Sequence, residues 1–143
     1  MSNLQAAIGL AQFEQIAKFL NIKIKNGILY REKLNGIPGL KFHPIKKYSK
    51  CVYWMYGLEL SSEAGLTAED LMLRLKSRGI DTRPFFKGLH IQPALNALGL
   101  FTGEKYPVTE SATKFGFYIP SSITLTEAQI NRIAETIKTE IRA

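Results

Sequence analysis

The sequence predicts one α+β domain, with a small mixed or antiparallel sheet packed with helices and a long N-terminal helix leading into it. Three observations carry this. The chain has 143 residues, 45% of them hydrophobic, enough for one core and too few for a second full domain. Three Ser/Thr-x-x-Gln/Asp boxes, beginning at Ser2, Thr67 and Thr126, open helical patterns. Between them lie short runs rich in β-branched and aromatic residues, with no internal repeat and no linker.

Ser2 caps the first helix with Gln5, and its apolar stripe runs through Leu4, Ile8, Ala11, Ile16, Phe19, Leu20 and Ile24. Gly27 weakens that helix locally. Ile28, Leu29, Tyr30 and Leu34 extend it until Gly36-Ile37-Pro38-Gly39 stops it, so residues 1–35 read as one long helix and residues 36–143 as the small α+β body. Residues 40–45 form a short strand and residues 51–60 a second, too apolar for a free edge. Thr67 and Asp70 open a helix that Gly79 closes, and residues 80–83 return as a strand. Residues 84–92 form an apolar loop punctuated by Pro84, Gly88 and Pro93. Pro93 and Pro107 begin two short helices. An extended piece follows at 117–120, and Thr126 with Gln129 opens the last helix, lined by Ile130, Ile133, Ile137 and Ile141.

Composition removes several functional classes. No apolar run is long enough to span a membrane, and the first residues lack the basic and apolar regions of a signal peptide, so a cytoplasmic location without membrane contact is expected. Cys51 is the only cysteine and His43 and His90 the only histidines, which excludes an internal disulfide and argues against a structural metal site. No Gly-rich phosphate loop or nucleophile elbow is present. The net charge of +7 arises in residues 1–50, where nine basic side chains face only Glu14 and Glu32. Such an excess suits nucleic acid, a phosphorylated ligand, an acidic partner or simply a solvated face. Lys46, Lys47 and Lys50 interleave with Tyr48, Tyr53, Trp54 and Tyr56, but no RNA-binding pattern accompanies them, so nucleic acid is not the expected partner.

One constellation stands out. Residues 81–93 combine Arg83, able to grip a carboxylate or phosphate at two points, with the rings of Phe85 and Phe86 and the titratable imidazole of His90. A purely structural alternative stays open: Arg83 paired with an acidic neighbour, the two phenylalanines in the core, and His90 satisfied within the loop.

Four stretches, MSNLQAAIGLAQFE at 1–14, TRPFFKGLHIQP at 82–93, GEKYPVTE at 103–110 and GFYIPSSITLTEAQI at 116–130, resemble in order the C-terminal portion of the DegT/DnrJ/EryC1/StrS sugar aminotransferases, the perosamine synthetases among them. The resemblance covers essentially the whole chain. It implies the small C-terminal domain of a fold-type I, pyridoxal-phosphate-dependent enzyme that moves an amino group from glutamate to a keto sugar on a nucleotide diphosphate, working as a homodimer. The family's Schiff-base lysine, its acidic partner for the cofactor ring and its phosphate-holding groups all lie upstream of the residue matching Met1. None of the thirteen lysines here aligns with that lysine.

The resemblance therefore implies a truncated or split domain, inactive alone, with no catalytic, cofactor-binding or metal residues of its own. Its expected partners are a second copy or a separate large-domain chain, and it would meet a nucleotide sugar only when so completed. It places Arg83 and His90 facing substrate with Phe86 packed beside them. Gly88 stands where the family commonly has proline, which predicts a freer loop. The alternative is a stand-alone interaction or self-association module built on exposed Trp54, Phe85 and Phe86.

Overall fold

The computed structural model describes residues 1–142. In chain order it comprises α1 (Asn3–Phe13), α2 (Ile16–Leu34), β1 (Leu40–Phe42), β2 (Tyr56–Leu60), α3 (Ala68–Ser77), β3 (Arg83–Pro84), α4 (Pro93–Ala97), α5 (Pro107–Phe115), β4 (Gly116–Ile119) and α6 (Glu127–Arg142), with single 3₁₀ turns at Ser62–Ala64 and Leu89–Ile91. The four strands form one wholly antiparallel sheet in the order β1-β2-β4-β3. The apolar β2 is interior, as its composition requires.

Side-chain alternation divides the sheet. Tyr56, Leu58 and Leu60 of β2 and Phe117 and Ile119 of β4 join Tyr30 and Leu34 of α2, Leu71 and Leu75 of α3, and Ile130, Ile133 and Ile137 of α6 in one buried core. Gly57, Glu59, Gly116 and Tyr118 turn to the other face, where Gly57 pairs with Tyr118 and Glu59 with Gly116. That second face carries the candidate site.

Residues 1–35 form two helices rather than one. Gln15, at φ −103° and ψ 3°, leaves helical geometry and its N–H tightens onto the Gln12 carbonyl at 3.2 Å. No residue of α1 is buried, so no packing holds it in register with α2. Gly27 is also not the weak point. It is buried, and a Cβ there would stand 2.4 Å from Tyr53 Cγ, so the glycine seats the Tyr53 ring against α2.

The second predicted strand is shorter than expected for a related reason. Tyr53 adopts φ 50°, unusual for an aromatic residue, and this turns its ring onto Gly27 and into parallel stacking with Tyr56 at 5.6 Å, leaving residues 51–55 outside the sheet. Of residues 80–83 only Arg83 pairs with the sheet, because Ile80 is drawn into the core and β3 is a two-residue edge.

All three capping boxes form. In the second, the Asp70 carboxylate accepts the Thr67 N–H at 3.0 Å and the Thr67 hydroxyl at 2.6 Å, and these hydrogen bonds hold the exposed carboxyl below its ordinary value of 3.8. A depressed folded-state value stabilises the protein above the ordinary aspartate range, and the contribution disappears as pH falls through the folded value. The stability gap between the parent and Asp70→Asn should therefore be widest near neutrality, begin to narrow below about pH 4 and close as pH falls through the folded value, measured by denaturant titrations at a series of pH values.

Candidate functional site

The site begins with a trough. Gly57 and Gly116, diagonal to one another across β2 and β4, leave part of the outer sheet face bare, and the Phe85 ring lies in the gap: a Cβ at Gly116 would be 2.2 Å from Phe85 Cδ2, and one at Gly57 3.0 Å from Phe85 Cζ. The Phe85 N–H donates to the Gly116 carbonyl at 3.2 Å, which pins the chain as it leaves β3. Tyr118 borders the trough. Its ring centroid is 4.5 Å from that of Phe85 and 6.0 Å from that of Phe86.

Arg83 is the register partner of Tyr118 and is exposed. With Met55, Asp81, Tyr118, Pro120 and Ser121 it lines a cleft of about 510 Å³. Among the described residues the Arg83 guanidinium enters no ion pair, Asp81 included. Its planar set of donors is free for a carboxylate or phosphate.

The floor of this cleft is tied to α2. Tyr30 Oη donates to the Pro120 carbonyl at 2.9 Å, Asn26 Nδ2 to the Ser122 carbonyl at 3.3 Å, and Lys23 Nζ to the carbonyls of Trp54, at 2.7 Å, and Ser121. Positions 23, 26 and 30 fall on one helix face, so a single rigid element holds three consecutive carbonyls. Burial lowers the Lys23 amine below its usual range and raises the phenols of Tyr30 and Tyr56 above theirs.

Phe86 is 72% exposed, whereas His90 is only 9% exposed. His90 Nε2 sits 3.3 Å from Glu110 Oε1 without hydrogen-bond alignment, and its ring packs on Tyr106 at 4.9 Å. Glu110 is itself held by the Tyr106 N–H, which donates to the same oxygen at 3.0 Å. The imidazole also fills the space beside Gly88, where a Cβ would stand 2.7 Å from its Cε1. The structure thus brings Arg83 and Phe86 together around Tyr118 and tucks His90 behind the loop.

Tyr118 and Glu110 lie outside the cluster at 81–93 that the sequence marks. Their signals were present: the Gly-Phe-Tyr-Ile alternation of β4 sends Tyr118 to the face opposite Phe117, and Glu110 lies in the first turn of α5. A second cleft, of about 360 Å³, opens on the other flank of Tyr118 between His43, Cys51, Tyr53, Trp54, Gly57 and Phe85. There Cys51 Sγ and His43 Nε2 are 3.4 Å apart.

Pyridoxal phosphate requires a lysine amine within reach of its aldehyde. Among the described residues no lysine lines the Arg83 cleft; Lys87 and Lys114 face a separate cleft of about 420 Å³ beside Thr67 and Glu69. The residues around Arg83 do not fit that cofactor. The described residues also contain no group of three or more His, Cys, Asp or Glu placed to hold a metal ion, and no helix long and apolar enough to cross a membrane.

Comparison with known proteins gives a consistent picture. The model of the DegT/DnrJ/EryC1/StrS aminotransferase family matches residues 1–138. A GDP-perosamine synthase of Vibrio cholerae is 32% identical over 96% of this chain and 37% of its own length, and one of Caulobacter vibrioides is 31% identical over 93% and 35%. The aminotransferase TlmJ of Streptoalloteichus hindustanus, at 19% identity, superposes with a TM-score of 0.82 over 96% of this chain and 36% of its own, which shows a shared fold. The chain spans little more than a third of the length of these relatives.

Proposed function

Because the chain belongs to the DegT/DnrJ/EryC1/StrS aminotransferase family, we propose that these residues form the substrate-covering domain of a nucleotide-sugar aminotransferase, one that uses glutamate as amino donor and is inactive without its cofactor-holding part. The observation that carries the reading is the match over residues 1–138 to relatives nearly three times as long. Arg83 grips an anionic group of the substrate, and Phe86 packs over the bound molecule. His90, behind Gly88, braces the loop that presents both.

Pyridoxal phosphate, when bound to the completed enzyme, supplies the electron sink for amino transfer. Groups outside these 143 residues hold it, whether in a longer polypeptide or a separate chain. The uncharged α1, with Leu4 and Phe13 each 71% exposed, supports a second body covering that helix, either that cofactor-holding part or a second copy of the chain. As a basis for a stand-alone interaction module the aromatic residues are less coherent, since Phe85 is packed in its glycine trough while Trp54 and Phe86 are exposed.

Incubation of the 143-residue chain with pyridoxal phosphate and borohydride, followed by peptide mapping, tests the reading. Only scattered, substoichiometric labelling of surface lysines is expected. Near-complete modification of one lysine, for instance Lys87 or Lys114, would overturn the assignment of cofactor chemistry to residues outside this sequence.

A further inference from the structure

We propose that Tyr118 is a further substrate-binding residue: it seats the flat base of a nucleoside diphosphate while Arg83 holds the phosphates. The inference rests on the functional reading above and adds to it a residue and a ligand orientation.

Tyr118 is the shared wall of two chemically different clefts. On one flank lie Arg83, Asp81 and Ser121, polar and open to solvent. On the other lie Trp54, Tyr53 and Phe85, mostly apolar and aromatic. A ligand that fits both flanks joins an anion to a flat ring. Inorganic phosphate alone would leave the aromatic flank empty, and an apolar ring alone would leave the Arg83 guanidinium unpaired. A nucleoside diphosphate satisfies both, with Asp81 available to accept from sugar hydroxyls.

The Tyr118 ring is rigidly placed for this. Its backbone is paired on both sides, with Gly57 of β2 and Arg83 of β3, and the Phe85 ring, locked over Gly57 and Gly116, supports it from within the sheet face. A ring on a central strand loses little freedom on binding, which favours stacking over a contact made by a mobile loop. Phe86, exposed and tilted at 56° with its centroid 6.0 Å from that of Tyr118, borders the same aromatic surface.

The test titrates the 143-residue chain with GDP, guanosine and inorganic pyrophosphate, followed by protein NMR shifts. GDP should shift the signals of Tyr118, Trp54 and Arg83 together. Tyr118→Ala should weaken GDP about fivefold or more, as expected for loss of one stacked base, and leave pyrophosphate unchanged. Tyr118→Phe should retain GDP binding, and Arg83→Ala should weaken GDP and pyrophosphate alike. If Tyr118→Ala disturbs folding, the parent titration decides, because GDP and pyrophosphate must then differ in whether they shift Tyr118 and Trp54. Absence of GDP binding, equal affinity for GDP and pyrophosphate, or shifts confined to Lys46, Lys47 and Lys50 overturns the proposal. These outcomes are distinguishable from failure of the functional reading: a single-lysine adduct in the borohydride experiment would remove the cofactor assignment while leaving nucleotide binding at Tyr118 to be judged by the titration.

Discussion

Tyr30→Ala is expected to lower the unfolding free energy by about 3–5 kcal/mol, the range for truncating a large buried aromatic residue. Tyr30 is 1% exposed, its ring lies 5.1 Å from that of Tyr56, and its hydroxyl holds the Pro120 carbonyl beneath the Arg83 cleft. Two losses coincide in the alanine variant: a ring-sized cavity between α2 and the sheet, and a carbonyl without its donor. Tyr30→Phe separates them. It keeps the ring and removes only the hydrogen bond, so it should cost about 1 kcal/mol. Urea denaturation of the three proteins measures both differences. A phenylalanine variant as unstable as the alanine variant would mean that the hydroxyl, and not the ring, anchors the turn at Pro120.

Gly116→Ala should destabilise by about 2 kcal/mol although the backbone accepts it. At φ −94° and ψ 142° any L-residue fits, so the cost arises from contact alone. The added methyl would stand 2.2 Å from Phe85 Cδ2 and 2.4 Å from the Ala112 carbonyl oxygen, and the ring must leave the trough. Because Phe85 supports Tyr118, the same substitution should shift the Tyr118 ring signals in an NMR spectrum. A double-mutant cycle with Phe85→Ala separates the causes: if ring collision dominates, Gly116→Ala should cost markedly less in the Phe85→Ala background. Full additivity would instead assign the cost to the Ala112 carbonyl.

Both predictions turn on contacts that no local pattern along the chain encodes. The apolar pattern marks Tyr30 as one more position of a helix stripe. Nothing along the chain links it to Pro120, ninety residues away. Gly116 ends α5, a local role. Its second role, making room for the Phe85 ring just after β3, depends on register across β4 and β3. The same holds for Gly27, which propensity marks as a weakness and packing turns into the seat of Tyr53.

The candidate site was legible in part for the same reason. Arg83, Phe86 and His90 stand out in the sequence because they cluster within eight residues. Their distribution between solvent and interior was not legible, since an arginine, a phenylalanine and a histidine in one loop can each be buried or exposed. In the assembled molecule Arg83 is unpaired among the described residues, Phe86 is exposed, Phe85 is packed on the outer sheet face, and His90 is buried beside Glu110.

What the sequence by itself determined was local and periodic. Capping hydroxyls, proline starts, glycine stops and apolar alternation placed nearly every helix and the interior strand, because each depends on hydrogen bonds or side-chain directions within a few residues. The family also followed from contiguous motifs. Only the tertiary structure decided which residues share the outer sheet face, where the helix of residues 1–35 divides, and which of the loop's polar groups lies open. Those outcomes depend on which side chains from distant segments occupy the same space, and close packing gives that choice to the assembled molecule.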